Sequence, residues 1–385
     1  MKVTICCKRF GPSGGAEKFL ANFARCLLDE GHHVKVLAAE LDGNLDGMTA
    51  EPLRLAPLPR TFRDLALARA SGKALQREDA DVTFSDQKCW GAQIVRPGGG
   101  VQREYVRQRS KTFRSPTRRA LKQALYAVSI REKLRIFIDD RLYRAPGPRL
   151  VVANSRMVRE DLLVHYPHLE GRVRVIYNGV DPERFHPGLR DEHREVVRRE
   201  LDLPAEALVC IFVGTGWRRK GLSTLLEALG LLARRELPRP VYGLVVGRGN
   251  EKRARETAEA HEAGELVRFV GWQEPDRYYG AADLFVLPTY FDPCANSTLE
   301  ALACGLPAIT SAYNGAHELL TPGREGFFIP EAHEAGRVAA FVEHFMEPER
   351  LRRAGQAACQ LALKHTLQRQ WGELEEALRT VADGN

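Results

Sequence analysis

A short loop in the second half of the chain concentrates positive charge where a diphosphate could bind. Residues 214–221 read GTGWRRKG, so Arg218, Arg219 and Lys220 stand between a predicted strand and the start of a predicted helix. Three cations beside the positive end of a helix dipole repel one another unless an anion joins them. Arg offers a bidentate fork, Lys a point charge, and glycines such as Gly216 allow the backbone close to a ligand. The alternative is a set of exposed charges that favour solubility.

A second segment, residues 288–300 with the sequence PTYFDPCANSTLE, carries two acids. It runs from a strand end through Asp292 into a predicted helix that carries Glu300. A carboxylate in the first turn of that helix must meet either the helix dipole or the hydroxyl groups of a ligand. Three polar residues between the acids supply helix-capping chemistry: Asn296, Ser297 and Thr298. Their N–H groups would face an anion beyond the sheet, although helix capping alone is the alternative role.

Two further loops are rich in glycine and follow predicted strands. The first, KRFGPSGG, contains Gly14 and Gly15 and opens a helix, where backbone N–H groups and the dipole favour an anion or a polar ligand. Glycine lets the backbone approach such a ligand closely, but two glycines also suit a plain strand-to-helix turn. The second loop, residues 247–250 with the sequence GRGN, offers Arg248 and is the less specific signal.

Strands and helices in alternation must position these loops. Near the amino terminus, the apolar pattern predicts a strand at 3–7, a helix at 16–30 and a strand at 33–38. Further strands are predicted at 150–153, 173–176, 208–213, 242–246, 267–270, 284–287 and 308–310. The helices between them are predicted at 155–165, 191–201, 222–234, 274–282, 297–303 and 315–320. This alternation predicts an α/β fold with two parallel sheets, whose ligands bind beyond the carboxyl ends of the strands.

The overall composition is that of a globular protein. A chain of 385 residues, 44% hydrophobic and 28% charged, is ordinary for a protein of two or three domains. Its apolar runs are far shorter than the roughly 18 to 20 residues of a membrane-spanning helix. The start, MKVTICCKRF, has too short an apolar run for a signal peptide, and eight cysteines without a C-x-x-C pair indicate buried reduced thiols. The sequence therefore predicts a cytoplasmic protein.

The positive charge of the chain is local. Of the net charge of +7, residues 103–149 alone contribute +10, from fourteen Lys or Arg against four Asp or Glu. Such a segment indicates a surface for an anionic partner, either nucleic acid or anionic lipid. A pair of solvated helices is the alternative. Aromatic and aliphatic residues alternate with the cations, a pattern that suits an anionic membrane surface.

Several blocks of the sequence resemble, in order, those of the retaining family-4 glycosyltransferases with two Rossmann domains. Asp292 and Glu300, with seven residues between them, are similar to the E-x7-E signature of that family. The other blocks are SGGAE, VVANSRMVRE, VRVIYNGVDPERFHP, FVGTGWRRKG and VRFVGWQEPDRYYGAADLFVLPTYFDP, which together extend over nearly the whole chain. PGGGVQREYVRQR and YFDPCANSTLEALACG more narrowly resemble bacterial lipopolysaccharide-core glucosyltransferases that act on heptose.

The resemblance implies a GT-B architecture, in which two Rossmann-like parallel-sheet domains face a central cleft. Residues 1–170 would form the acceptor-binding domain and residues 171–365 the donor-binding domain. A carboxyl-terminal helix, about residues 366–385, would pack back on the first domain.

The resemblance also implies a role for each matching residue. Arg219 and Lys220 would bind the nucleotide diphosphate. Glu300 would bind the ribose hydroxyls, and Asp292 would contact the transferred sugar. The remaining donor contacts would be the amides of Ser297, Thr298 and Leu299 with phosphate, the segment from Phe269 to Gly271 with the base, and Gly14 and Gly15 with the diphosphate and sugar.

Three positions depart from the family pattern. Asp292 stands where the family usually has Glu, which shortens the side chain by about 1.5 Å. Thr215 replaces an Arg that commonly follows the strand glycine. Gln102 stands where an imidazole often lies, and Gln can position a hydroxyl but cannot titrate. Gln102 and its neighbour Arg103 are the acceptor-side candidates.

The activity that these residues imply is transfer of a hexose, with retention, from a UDP-sugar such as UDP-glucose. The acceptor would be a hydroxyl of a lipid-linked glycan such as the lipopolysaccharide core, and the enzyme would lie at the inner face of the cytoplasmic membrane. No metal and no other cofactor are expected, because Lys220, Arg219 and helix N-termini can stabilise the leaving diphosphate. The only D-x-D, Asp79-Ala80-Asp81, precedes an apolar run, so we interpret it as a helix end and not as a metal site.

Other functions fit parts of the same pattern. A glycosyltransferase acting on an exopolysaccharide or a small molecule would have the same blocks. A nucleotide-sugar epimerase could share the architecture, although the block FDPCANSTLE disfavours it. A nucleic-acid-binding protein would explain the basic segment, but it would leave the acids and Lys220 unexplained, and the aromatic stacking platforms of single-strand binders are missing. We therefore expect no nucleic-acid partner.

Overall fold

The structure, a computed structural model, describes residues 1–11, 15–42, 45–113, 115–145 and 147–384. It divides into two units, the first formed by Met1–Tyr177 with Gln370–Asn385 and the second by Asn178–Arg369. Each unit is built on one parallel sheet with helices. The prediction of an α/β fold with two Rossmann-like parallel-sheet domains is therefore confirmed.

The first unit is organised around a seven-stranded sheet. Its strands are β1 (Lys2–Phe10), β2 (His33–Leu41), β3 (Thr49–Pro52), β4 (Val82–Ser85), β5 (Ile94–Val95), β6 (Leu150–Ala153) and β7 (Val173–Val175). Their order is β3-β2-β1-β4-β5-β6-β7, and Val3 of β1 pairs with Val34 on one side and with Val82 on the other. The strand order reverses at β1 and β4, and ligands of open α/β sheets bind at such a switch point.

Helices cover both faces of this first sheet. They are α1 (Gly15–Asp29), α2 (Arg63–Leu75), α3 (Gln102–Lys111), α4 (Pro116–Val128), α5 (Ile130–Tyr143) and α6 (Arg156–His165). Phe23 of α1 packs in the core on one face, and Leu162 of α6 packs in the core on the other. The Ser155 hydroxyl caps α6 by accepting a hydrogen bond from the Val158 amide at 3.2 Å. The basic segment thus consists mainly of α3, α4 and α5.

The second unit repeats the plan with six strands. They are β8 (Leu208–Val213), β9 (Val241–Val246), β10 (Val267–Gly271), β11 (Leu284–Leu287), β12 (Ala308–Ser311) and β13 (Gly326–Ile329). Their order is β10-β9-β8-β11-β12-β13, and all the pairs are parallel. Every residue of β8 is buried, which explains its continuous apolar sequence, because a parallel strand covered on both faces has no polar side.

The helices of the second half of the chain begin with one that precedes β8. They are α7 (Leu189–Glu200), α8 (Trp217–Lys220), α9 (Leu222–Ala233), α10 (Glu251–Ala260), α11 (Asp276–Ala281), α12 (Asn296–Ala303), α13 (Ala335–His344), α14 (Pro348–Ala362) and α15 (Leu367–Asp383). From Gln370 onward α15 belongs to the first unit, where Leu374 and Leu378 are buried in the core beside β1 and α1.

One predicted helix, at 315–320, has a different form. Gly315–Leu319 is a 3-10 helix, closed by a hydrogen bond from the His317 amide to the Asn314 carbonyl at 2.8 Å. The Asn314 side chain also accepts a hydrogen bond from the Ala316 amide at 3.2 Å. This short-range bonding favours the tighter helix over a regular α-helical turn.

Candidate active site

The loop after β8 folds into a tight turn that presents its cations beside the end of β11. Gly214 and Gly216 have φ angles of +151° and +71°, which side-chain-bearing residues rarely adopt. The buried Trp217 anchors the turn, because its indole N–H donates to the Gly214 carbonyl at 3.1 Å. At Gly221, with φ +79°, a Cβ would lie 1.9 Å from the Pro288 carbonyl oxygen, so only glycine allows this approach.

Lys220 and Arg219 converge on one carboxylate. The Lys220 Nζ lies 2.5 Å from the Asp292 Oδ2, and the Arg219 Nη1 lies 3.3 Å from the same oxygen. Arg219 also donates to the Phe291 carbonyl at 2.5 Å, while its own carbonyl accepts a hydrogen bond from the Tyr290 amide at 2.8 Å. The two loops that the sequence singled out separately therefore meet at the carboxyl end of the second sheet.

The charge state of Asp292 follows from these contacts. The residue is buried, and burial alone would raise the pKa of its carboxyl group. Lys220 and then Arg219 outweigh this effect, so the pKa of Asp292 lies below its ordinary value and the group is an anion at neutral pH. Lys220 and Arg219 thus share the Asp292 carboxylate, and Lys220 also acts to lower the pKa of Glu300 nearby.

Helix α12 begins next to this cluster. Its N-cap position is Ala295, which makes no side-chain capping hydrogen bond, so the expectation that Asn296, Ser297 and Thr298 cap the helix is wrong. These three residues and Leu299 form the first turn instead. The Thr298 amide donates to the Ala295 carbonyl at 3.0 Å. Helix N-termini favour anions in general, and phosphate binding by this turn stays a prediction.

Asn314 connects the parts of the site, and the sequence reasoning missed it. Its side chain is fully buried and makes four hydrogen bonds. Its Oδ1 accepts from the Ala295 and Ala316 amides at 3.1 and 3.2 Å, and its Nδ2 donates to the hydroxyls of Thr298 and Thr310 at 3.0 and 2.9 Å. In addition, Gly315 donates its amide to the Asp292 carbonyl at 2.9 Å. A polar residue after a strand was the only sequence signal for this role.

Glu300 has one clear partner, which sequence reasoning also missed. The Tyr279 hydroxyl donates to the Glu300 Oε2 at 2.9 Å. Burial raises the pKa of Glu300, although this hydrogen bond and Arg184 act against it. Burial and then the nearby Glu300 raise the pKa of Tyr279 well above its ordinary value, so the phenol keeps its proton. The carboxylate is fixed on one side and can accept hydrogen bonds on the other.

The loop after β9 packs against the loop after β8. A Cβ at Gly247 would lie 2.1 Å from the Gly214 carbonyl oxygen, and one at Gly249 would lie 2.2 Å from the Trp217 ring. Trp217 in turn contacts Phe269, with ring centroids 5.6 Å apart. The loop also contacts the end of β10, because the Gly247 backbone N–H donates a hydrogen bond to the Gly271 carbonyl at 2.6 Å.

Arg248 lies in this same loop and contacts the neighbouring strand end. Its guanidinium lies 5.2 Å from the ring centroid of Trp272, which is half exposed. The predicted base-contact segment thus has an aromatic ring and a cation beside it. Trp272 is a residue that the sequence reasoning did not single out.

The candidate site residues of the first unit do not form one cluster like that around Asp292. Gly14 lies outside the described residues, and Gly15 begins α1. Gln102 begins α3. Its backbone N–H donates to the Asp139 Oδ2 at 2.9 Å, and its side-chain Nε2 donates to the Glu132 Oε2 at 2.7 Å. Arg103 lies 2.7 Å from Asp140. Both acceptor-side candidates therefore have partners within their own unit.

The D-x-D motif lies at the amino end of β4. Asp79 pairs with the Lys2 Nζ at 2.6 Å, and Asp81 accepts a hydrogen bond from the Lys2 amide at 2.7 Å. The two residues follow α2 in a loop, and so the interpretation as a helix end is wrong. A metal–nucleotide site would need acids at the carboxyl ends of the strands.

Two Rossmann-like units, one with a basic loop and a helix N-terminus at its carboxyl edge, define the GT-B class of proteins. Residues 193–360 match the family described as "Glycosyl transferases group 1", and residues 13–184 match the family described as "Glycosyltransferase Family 4". The first unit therefore matches mainly the family 4 model, and the second unit matches the group 1 model.

Curated relatives match part of the chain. A D-inositol 3-phosphate glycosyltransferase of Streptomyces avermitilis is 30% identical over 224 residues, which is 55% of this chain and 47% of that protein. The chain spans about half the length of the curated relatives that it matches.

Solved structures share the fold over nearly the full chain. The crystal structure of WaaG, a glycosyltransferase involved in lipopolysaccharide biosynthesis, matches with a TM-score of 0.79 at 20% identity, over 98% of this chain and 99% of that one. Anabaena HepE in complex with UDP-glucose matches with a TM-score of 0.70 at 19% identity, over 99% and 100% of the two chains.

Proposed function

We propose that this protein is a retaining glycosyltransferase that transfers a hexose from a UDP-sugar to a hydroxyl of a lipid-linked glycan, and that the preferred hexose is glucose. The observation that carries the proposal is the convergence of Lys220 and Arg219 on Asp292, directly beside the first turn of α12. Two cations and a helix N-terminus at one sheet edge form a site for a diphosphate.

Leaving-group stabilisation is the central chemical task. As the bond between the sugar C1 and the phosphate oxygen breaks, negative charge develops on the diphosphate. Asp292 and the Phe291 carbonyl hold Lys220 and Arg219 at this edge of the sheet, where the two cations stabilise the developing charge as it competes with Asp292 for them. Glu300, fixed by Tyr279, accepts hydrogen bonds from the ribose hydroxyls.

Retention follows from attack on the same face of the sugar. The sequence offers no residue that stands out as a covalent nucleophile, and Asp292 is engaged by two cations. The acceptor oxygen therefore attacks C1 on the face that the diphosphate leaves, through a state of oxocarbenium character. The acceptor's proton passes to the departing phosphate oxygen, which balances the step.

Metal ions are not part of this mechanism. The cations of the loop after β8 take the role that a divalent metal would have, and the D-x-D acids are engaged by Lys2 at the amino end of β4. Transfer that continues in excess chelator would support this point. Activity that vanishes in chelator and returns with a divalent metal would contradict it.

Three of the similar proteins support the proposed donor and acceptor classes. HepE is described in complex with UDP-glucose, which favours the same donor here. WaaG is involved in lipopolysaccharide biosynthesis, which favours a lipopolysaccharide-core acceptor. The Streptomyces relative is named for D-inositol 3-phosphate, so a small phosphorylated polyol is the second candidate acceptor.

The surface of α4 favours a lipid-linked acceptor. None of its residues is buried, and Leu121, Leu125 and Val128 are 60%, 47% and 67% exposed at helical spacing. Basic side chains share the helix: Arg118, Arg119 and Lys122. We define Leu121, Leu125 and Val128 as the apolar face of α4 and propose that it docks on an anionic membrane surface. Within the described ranges, no helix is long and apolar enough to cross a bilayer.

The test of the proposed function is a thermal-shift panel of nucleotide sugars, followed by transfer assays. Donor binding stabilises the protein by mass action, so UDP-glucose should raise the melting temperature more than GDP- or ADP-sugars do. Transfer to deacylated lipopolysaccharide core and to D-inositol 3-phosphate then separates the two acceptor classes. An isomerised sugar without a glycosylated product would indicate an epimerase instead.

A further inference from the structure

Two charged residues lie at the carboxyl edge of the first sheet, and the function proposed above does not use them. Asp86 directly follows β4, and Arg96 directly follows β5. The two strands are paired, and the Arg96 amide donates to the Ser85 carbonyl at 2.8 Å, which continues the pairing beyond the strand ends. This edge of an open α/β sheet is where ligands bind.

Asp86 is buried without a hydrogen-bond partner for one of its oxygens. The residue is 6% exposed, and its Oδ1 has no partner among the residues that the structure describes. An unsatisfied buried acceptor destabilises the folded state, and more so if it is charged. Such a cost persists in natural proteins mainly where function needs the residue.

Charges of both signs surround this carboxyl group. Arg96, 7% exposed, holds its guanidinium 4.3 Å from the ring centroid of Phe19 in α1. The pKa of Asp86 is raised to about 7, chiefly by burial; Arg96 acts against this rise, and Glu17 in the first turn of α1 adds to it. A cationic ligand would be repelled by Arg96 and an anionic ligand by the two acids, so a neutral hydroxyl suits the position best.

The loop that follows Arg96 carries two glycines whose missing side chains would meet little. A Cβ at Gly99 would meet no atom within 4 Å. At Gly98 it would meet only the Arg96 Nη1 at 3.8 Å and the Asp86 carbonyl oxygen at 4.0 Å, which are ordinary contact distances. Gly98 therefore lies next to both Arg96 and Asp86.

We propose that Asp86 is a specificity-determining residue that binds a hydroxyl group of the acceptor glycan, with Arg96 beside it donating to an oxygen of the same sugar. This inference rests on the proposed transferase function and names the acceptor contact within it. A sugar with neighbouring hydroxyl groups can donate to the carboxylate and accept from the guanidinium at once.

Calorimetric titration of the full chain with two acceptor probes, deacylated lipopolysaccharide core and D-inositol 3-phosphate, tests the proposal. We expect the wild type to bind at least one probe, Asp86→Asn to bind it several-fold more weakly, and Asp86→Ala to bind it at least tenfold more weakly, since a charged hydrogen-bonded contact is lost. The control is Asp79→Asn, which changes an exposed acid at the opposite end of β4.

Two further measurements separate the outcomes. UDP-glucose should bind all four proteins equally, because the side chains proposed to hold its diphosphate and ribose, Lys220, Arg219 and Glu300, are in the second unit; failure of the wild type to bind it would count against the proposed function. Asp86→Asn should unfold at a temperature equal to or above that of the wild type, since it removes a buried unpartnered acid. Equal glycan binding by the wild type and Asp86→Ala, or no glycan binding by the wild type, would overturn the assignment of Asp86.

Discussion

The Lys220 ammonium group and the Asp292 carboxylate lie 2.5 Å apart, although they belong to loops that follow different strands of the second sheet. The contact has two effects. It holds the lysine in position, and it pairs the ammonium group with a carboxylate where a diphosphate would otherwise bind. A bound diphosphate would therefore compete with Asp292 for Lys220 and Arg219, which makes this ion pair the natural target for mutation.

Lys220→Ala should lower turnover on the order of 100-fold or more, because one preorganised charge at the leaving group is lost. Steady-state transfer from UDP-glucose would measure this. Lys252→Ala is the control, since Lys252 is an exposed cation on α10. Near-normal turnover of Lys220→Ala would remove this residue from the mechanism.

Asp292→Asn should separate binding from catalysis. The substitution removes the carboxylate that competes with the diphosphate for Lys220 and Arg219. The binding free energy of UDP should therefore become more favourable by roughly 1 kcal/mol, which corresponds to about fivefold to tenfold tighter binding. Transfer should nevertheless slow, since Asp292 is proposed to contact the sugar. Calorimetry with UDP measures the first effect, with Asp191→Asn on α7 as the control. Weaker UDP binding would show that Asp292 does not compete with the ligand.

Glu300→Gln should weaken the distinction between ribose and deoxyribose. The variant keeps a hydrogen bond with Tyr279 but loses the charge that strengthens bonds from the ribose hydroxyls. We expect the preference for UDP over 2′-deoxy-UDP to fall by about tenfold, measured as a ratio of dissociation constants. Glu256→Gln, on the exposed side of α10, should leave the ratio unchanged. An unchanged ratio in Glu300→Gln would refute ribose recognition by this residue.

Asn314→Leu should destabilise the second unit strongly. The change leaves the two amides and two hydroxyls that Asn314 binds without their partner, at a cost of about 3 kcal/mol or more. Denaturant unfolding measures the loss. Asn250→Ala is the matched control, since it removes only the cap of α10 and should cost about 1 kcal/mol. A loss no greater than that of the control would mean that Asn314 is not the connector described above.

Replacing the apolar face of α4 should release the protein from membranes. The combined variant Leu121→Ser, Leu125→Ser and Val128→Ser removes the exposed apolar side chains, and binding to phosphatidylglycerol vesicles should fall on the order of tenfold or more. Leu363→Ser, at another exposed leucine in the second unit, is the control. Co-sedimentation that is indifferent to the variant, or to replacement of the anionic lipid by phosphatidylcholine, would defeat the docking proposal.

The sequence by itself determined the class of the fold and the loops in which to look for chemistry. The strands at 150–153, 208–213 and 284–287 were predicted with the bounds that the structure has, because a buried parallel strand is a local apolar run. The basic loop at 214–221 and the acidic segment at 288–300 were found for a similar reason, since charge beside a strand end is visible without knowing the partner.

Only the tertiary structure decided which of these groups meet. The contacts of Lys220 with Asp292 and of Tyr279 with Glu300 join residues whose separation along the chain carries no periodic signal. Likewise, Asp86 and Arg96 become neighbours through the pairing of β4 with β5. Local patterns report the burial of each element, whereas strand order and register set the distances between side chains on which catalysis depends.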